Sequence, residues 1–290
     1  MTTTTSFGQS GQQVVSFSQP VNLSNDNNQA EFPWVATSGS NVYVAWTEAS
    51  HGIYFRSSSN YGAAWNPAIK LSPSGTAAYP VIALNGSFVY VVWSQSLTSG
   101  GNSVVYIDTS SNYGATFSSA ATPLSPATAN SNIPYVAEYG SNVYVIWHEV
   151  SSGSQSVRVT SSNNNGQTWP RSPSELATSG DEPQIAAWGD YVYATWDRGG
   201  AWFDVSSNNG QSWLSKSVNL NSPNAGLQRE PWISASGSNV YVTWNDNSGF
   251  GSASSSNYNA YIRVSNNNGK TWTPKTNLFP GGTSDWEVQS

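Results

Sequence analysis

The chain has 290 residues (31.0 kDa), with ten Lys and Arg against sixteen Asp and Glu, a net charge of −6 and a pI near 4.7. Only 9 % of residues are charged, and no apolar stretch approaches the roughly 20 residues of a membrane-spanning helix. The acidic balance argues against a nucleic-acid partner, and the absence of Cys removes a disulfide framework.

The length suits one large all-β domain over 1–290. Met1-Thr-Thr-Thr-Thr is no signal peptide, although the Lys-poor, Ser-, Asn- and Trp-rich composition has an extracellular or cell-surface character. Asn22-Leu-Ser24 and Asn85-Gly-Ser87 match the glycosylation sequon, a pattern common by chance.

In chain order, the first element expected is a strand within 14–24, because Phe17-Ser-Gln-Pro-Val-Asn-Leu-Ser24 aligns with Trp65-Asn-Pro-Ala-Ile-Lys-Leu-Ser72 further on. Five repeats follow, over about 30–77, 78–131, 132–180, 181–228 and 229–278. Prolines at 33, 80, 134, 183 and 231 mark them, giving spacings of 47, 54, 49 and 48 residues. Each repeat reads as four strands, in the first at 34–37, 41–46, 53–57 and 68–71. A last strand is expected at 284–290, where Ser284-Asp-Trp-Glu-Val-Gln-Ser290 is similar to Arg229-Glu-Pro-Trp-Ile-Ser-Ala235. Periods of this size, all strand and turn, belong to blade-by-blade arrays.

Two phrases recur in every repeat. The second strand is Asn41-Val-Tyr-Val-Ala-Trp46, Phe88-Val-Tyr-Val-Val-Trp93, Asn142-Val-Tyr-Val-Ile-Trp147, Tyr191-Val-Tyr-Ala-Thr-Trp196 and Asn239-Val-Tyr-Val-Thr-Trp244. Apolar residues on both faces of a strand mean that both faces are covered. Between the third and fourth strands stands a box, Ser-x-Asn-x-Gly-x-x-aromatic. Its fixed members are Asn60, Gly62 and Trp65; Asn112, Gly114 and Phe117; Asn164, Gly166 and Trp169; Asn208, Gly210 and Trp213; and Asn267, Gly269 and Trp272. Asn-Gly or Tyr-Gly supplies the positive-φ hairpin turn, the Asn two residues before Gly closes an Asx-turn, and the aromatic packs beneath.

The box resembles the Asp-box, or bacterial neuraminidase repeat, of the sialidase-like propellers, over residues 30–278. Every Asp of that family's Ser-x-Asp-x-Gly-x-x-Trp is Asn here, which keeps the turn and removes five charges. The resemblance implies a β-propeller of four-stranded antiparallel blades, carrying fold rather than activity. The termini would form a partial sixth blade; the alternatives are a five-bladed ring, or missing strands supplied by a neighbouring molecule.

Antiparallel order brings the starts of first strands and the ends of second strands to one mouth. The residues expected there are Glu48, Glu149, Asp197, Arg198, Glu182, Arg229, Glu230 and Asp246, an acidic ring suited to binding a sugar, a cation or a partner loop. The family's sialidases use three arginines on the substrate carboxylate. This chain has six arginines, of which only Arg198 and Arg229 are well placed, and the motif Arg-Ile-Pro is missing. Asn25-Asp-Asn-Asn28 and Asn245-Asp-Asn-Ser248 carry oxygen donors suited to calcium but lack the spacing of a known loop, so solvated turns and no cofactor are expected.

The composite expectation is a non-catalytic extracellular propeller that binds glycan or protein through this mouth. One alternative is a glycoside hydrolase of sialidase-like fold, using two mouth carboxylates. Another is a structural subunit that self-associates by strand exchange at the incomplete blade.

Overall fold

The computed structural model describes residues 19–72, 75–96, 98, 100–222, 228–247 and 258–278, and the backbone of 6–7 and 15–16. Its core is five four-stranded antiparallel sheets in chain order, each a blade. Strands β1 (Ser6–Phe7) and β2 (Val15–Ser16) pair separately. The first blade holds β3 (Ala30–Ser38), β4 (Asn41–Glu48), β5 (Gly52–Ser58) and β6 (Ile69–Lys70). The second holds β7 (Thr76–Asn85), β8 (Phe88–Ser96), β9 (Val104–Ser110) and β10 (Thr122–Pro123). The third holds β11 (Asn130–Tyr139), β12 (Asn142–Ser151), β13 (Ser154–Ser162) and β14 (Ser174–Ala177). In the fourth are β15 (Asp181–Trp188), β16 (Tyr191–Asp197), β17 (Ala201–Ser206) and β18 (Val218–Asn219). The fifth has β19 (Gln228–Ser236), β20 (Asn239–Asp246), β21 (Asn259–Ser265) and β22 (Thr276–Asn277).

Of the strand expected within 14–24, Val15–Ser16 is a strand paired with Ser6–Phe7 and residues 19–24 form none; the strand expected at 284–290 lies outside the described residues. The five sheets do not close into a ring among the described residues. Four hydrophobic clusters seal the seams between consecutive blades, and none spans the fifth and first.

Second strands are buried on both faces because a blade stands on each side; in β8 every residue from Val89 to Ser96 is buried. The box is what locks the blades. In all five, the Ser hydroxyl donates to the Asn Oδ1 at 2.8–2.9 Å and accepts the Gly N–H at 2.9–3.0 Å. The same Oδ1 also accepts one N–H, that of Ala64, Thr116, Thr168, Ser212 or Thr271. In four boxes the Asn Nδ2 then donates to the hydroxyl of that residue. Asn thus performs the acceptor work of Asp, and its amide finds a neutral partner, so no charge has to be held at the turn.

The fourth box residue and the Gly both take positive φ, 56–60° and 74–83°. That fourth residue donates its N–H to the turn joining the first two strands, as Tyr61 to Ser40 and Asn268 to Ser238. Boxes and these turns therefore share one face of the molecule, and the opposite mouth is left to the strand ends.

Candidate functional site

Every first strand breaks its register at the recurrent proline. The breaks fall between Glu31 and Trp34, Ala78 and Val81, Asn132 and Tyr135, Asp181 and Gln184, and Arg229 and Trp232. Proline has no N–H for the ladder, so a strand that contains it bulges. The residue before each proline takes the left-handed conformation: Phe32, Tyr79, Ile133, Glu182 and Glu230 have φ of 49–58°. A β-branched or bulky residue is strained there and persists only where its surroundings impose it. The consequence is positional. All five side chains line one axial cavity of about 540 Å³, together with Tyr135, Gln184, Pro231, Trp232, Thr243, Trp244 and Asn245.

The lining combines two kinds of side chain. Among the aromatics, Phe32 and Tyr79 meet at 4.6 Å, and Trp232 stacks at 6.0 Å on Trp34 behind the lining, with Tyr135 edge-on to both. Among the polar groups, Glu182 Oε2 accepts the Glu230 N–H at 2.8 Å, and Asn245 Nδ2 donates to Glu230 Oε2 at 3.0 Å. Burial raises the Tyr135 hydroxyl pKa, partly offset by a hydrogen bond with Gln184, and the charges of Glu182 and Glu230 raise it further. Asp197, opposite Asp181 across the ladder, is pushed up to about 6, first by burial and then by Glu182 and Asp181, while the Gly200 N–H opposes the shift.

Two buried polar atoms of cavity-lining residues lack a hydrogen-bond partner, Trp244 Nε1 and Asn245 Oδ1. The Trp244 case has a simple cause. In the first three blades the indole N–H donates to the side chain two residues on: Trp46 to Glu48, Trp93 to Gln95 and Trp147 to Glu149. In the fifth blade that residue is Asp246, one methylene shorter and paired with Lys275, and in the fourth it is the exposed Arg198; Trp196 and Trp244 keep unpartnered N–H groups.

The expected carboxylate ring is corrected by the same contacts. Glu48, Glu149 and Asp246 are buried inside their blades. Glu149 pairs with Arg158 at 3.0 Å, and Asp246 with Lys275 at 2.7 Å. Glu48 accepts from Trp46 and from Asn28 Nδ2. Of the predicted residues, Glu182 and Glu230 line the cavity and Asp197 lies half-buried near Glu182. Arg198 is exposed, its guanidinium 5.5 Å from the Trp202 ring. The Arg229 backbone pairs with Asn245; its side chain lies outside the described residues.

Among the described residues no Lys or Arg lines the cavity. Phe32, Ile133, Tyr135, Gln184 and Asn245 were not expected as site residues. The signal for the first two was available: a proline at one position of five otherwise regular strands announces five bulges. In the two segments with calcium-type donors, Asp26 accepts from the Asn28 backbone and side chain, and Asp246 is held by Lys275.

No protein-family model matches the chain, and no curated protein matches it. Solved structures do. The chain is similar to a polysaccharide lyase of a new family, PL25, an ulvan lyase (TM-score 0.61, 11 % identity, covering 88 % of this chain and 74 % of that one). It is also similar to a protein of unknown function from Dyadobacter fermentans (0.59, 12 %, 81 % and 77 %). A third likeness is to Trypanosoma rangeli sialidase bound to the inhibitor DANA (0.58, 13 %, 97 %), of which the chain spans only 52 %. At such identities what is shared is the β-propeller fold.

Proposed function

We propose that this chain is an extracellular glycan-binding propeller that takes a saccharide segment in the axial cavity without cleaving it. The observation that carries the reading is the ring of five bulges, which spends backbone strain to aim five side chains at one cavity. Aromatic rings together with hydrogen-bonding carboxylates and amides suit a pyranose ring, which has an apolar face and a polar edge. Asn245 Oδ1, on a lining residue, adds an unsatisfied acceptor of the kind that sugar hydroxyls complete. Glu182 and Glu230, with no cationic side chain among the described lining residues, favour a neutral or amine-bearing saccharide over an acidic one. Two of the structural relatives, by their names a lyase and a sialidase, act on glycans, which agrees with this choice of ligand.

The experiment is a glycan array followed by calorimetric titration of the hits. Tyr79→Ala and Glu182→Gln, both at the cavity rim, should each abolish or weaken binding by about tenfold. Failure of the wild type to bind any saccharide removes the reading.

A second reading, hydrolysis, has one observation in its favour. Asp197, held near 6 beside Glu182, is a proton donor next to a carboxylate, the pairing that glycoside hydrolysis uses. Release of reporter from an aryl-glycoside panel at pH 4–7, lost in Asp197→Asn, would establish it. An inert panel leaves binding alone.

A further inference from the structure

Two first strands end differently from the rest. The last residue before the turn is Ser38, Asn85 and Ser236 in three blades, but Tyr139 in the third and Trp188 in the fourth. The turn itself does not require a ring, because the Gly that follows takes φ of 58–60° in all five. Both rings are left in solvent, Tyr139 39 % and Trp188 42 % exposed, with their centroids 5.6 Å apart. Among the described residues no other Trp is exposed. An aromatic pair that neither builds the turn nor fills the core has ring surface free for a ligand.

A cavity of about 500 Å³ opens on the same face, in the seam between these two blades. Its lining includes Asn142, Ser161, Asn163, Trp169, Asn209 and Gln211, and no ionisable side chain. The sequence explains the opening. In the seams on either side, the place of Asn142 belongs to Phe88 and Tyr191, which stack at 6.1 Å on Tyr90 and Tyr193 of their own strands. Tyr144 is the counterpart of those two tyrosines, and beside it the ring is replaced by the short Asn142. A chain of amides stands in its place. Asn142 Nδ2 and the Tyr144 hydroxyl each donate to Asn209 Oδ1 at 3.2 Å, and Asn209 Nδ2 donates to Asp190 Oδ1 at 3.3 Å. The chain ends beside the two exposed aromatics, since Asn142 is the ladder partner of Tyr139 and Asp190 stands two residues past Trp188.

We propose that the Tyr139–Trp188 pair and this amide-lined cavity form a second saccharide site, on the box face and away from the axial cavity, that takes an uncharged oligosaccharide. The exposed rings offer stacking to the C–H face of a pyranose, and the Asn, Ser and Gln side chains offer the donors and acceptors that its hydroxyls need. With no cation in the lining, an acidic sugar or a nucleic acid finds nothing to neutralise it. With no carboxylate in the lining, an amine finds no counter-charge there. The two sites therefore differ in character, the axial cavity being acidic and the box-face cavity neutral.

The repeat supplies substitutions that the fold already accepts. Tyr139→Ser with Trp188→Ser puts at both places the residue of the first and fifth blades, Ser38 and Ser236, and Gln211→Ala copies Ala63 and Ala115 of the first two boxes. The probes are cellohexaose, laminarihexaose, mannohexaose and xylohexaose, titrated calorimetrically into the full chain carrying Tyr79→Ala, so that axial binding is weakened. At least one hexaose should bind saturably. Its affinity should fall about tenfold on adding Tyr139→Ser with Trp188→Ser, and about threefold on adding Gln211→Ala, with Tm unchanged. Binding of none of the four, or affinity unaltered by the serine pair, overturns the proposal. Axial binding is read separately, as affinity that the wild type has and Tyr79→Ala lacks, so either site can fail without the other.

Discussion

In the seam between the fourth and fifth blades, Tyr193 donates to Asn268 Oδ1 at 2.8 Å, and Trp272 meets Phe203 edge-on at 4.8 Å. A Cβ on Gly269 would fall 2.5 Å from that Phe203 ring. At the edge where the fifth blade faces the first, the same sequence positions do none of this. Tyr241 is exposed, and Gly62 has only its own Trp65 ring nearby, at 3.5 Å. The comparison separates two jobs that the repeat performs. The hydrogen bonds of the box are complete in the first blade as in the others, so the turn is made by local sequence. The packing of the box Gly, the box aromatic and the second-strand Tyr is made only across a seam. Stability in such an array belongs to interfaces as much as to blades.

The largest break should come from Tyr193→Ala, which empties a sealed seam and removes a hydrogen bond; a loss of about 3–5 kcal/mol is expected in chemical denaturation. Tyr241→Ala at the open edge should cost about 1 kcal/mol or less. Equal costs at the two positions would erase the distinction. Next comes the box glycine. Gly269→Ala meets both the positive φ and the Phe203 ring and should cost roughly 3 kcal/mol, whereas Gly62→Ala meets only the φ penalty, about 1 kcal/mol. Ile233→Ala against Val35→Ala sharpens the contrast further, roughly 2–4 kcal/mol against less than about 0.5.

The smallest effect is a pH dependence inside a sealed seam. Glu138, on the strand that packs against the second blade, is pushed up to about 7 by burial from its ordinary 4.5. Its folded-state pKa is raised, so the native chain holds this proton more tightly than the unfolded chain does. Charging the group opposes folding, and its contribution falls as pH rises from about 4.5 to 7. The side chain is only part-buried, so solvent reduces the effect to on the order of 1 kcal/mol. Glu138→Gln should flatten unfolding midpoints between pH 5 and 7; an unaltered slope would mean that this seam does not desolvate the carboxyl.

The fold was legible because its signals are local and repeated. Val-Tyr-x-x-Trp strands and Ser-x-Asn-x-Gly turns each carry their geometry within eight residues, and five copies keep one register. The sequence also assigned a mouth to the starts of first strands and the ends of second strands, and Glu182 and Glu230 from that set line the cavity. Its membership was harder to read. The acids two residues past the second-strand Trp seemed to point outward, but strand parity puts residues i and i+2 on one face, beside the indole N–H. Glu48 and Glu149 were therefore destined for the blade interior. The prolines served as period markers, while their physical role is to create the bulges that aim Phe32, Tyr79 and Ile133 inward. Trp34 stacking on Trp232 depends on how blades far apart in sequence converge, which no local pattern encodes.

The central claim is that the axial cavity, lined by aromatic and acidic side chains, receives a saccharide. Calorimetric titration of a neutral or amine-bearing oligosaccharide, chosen from the array, into wild type, Tyr79→Ala and Glu182→Gln tests it most directly. Saturable binding to the wild type, about tenfold weaker in each variant with Tm unchanged, is the predicted result. Binding equally tight in all three proteins would place the ligand elsewhere on the molecule and contradict the account.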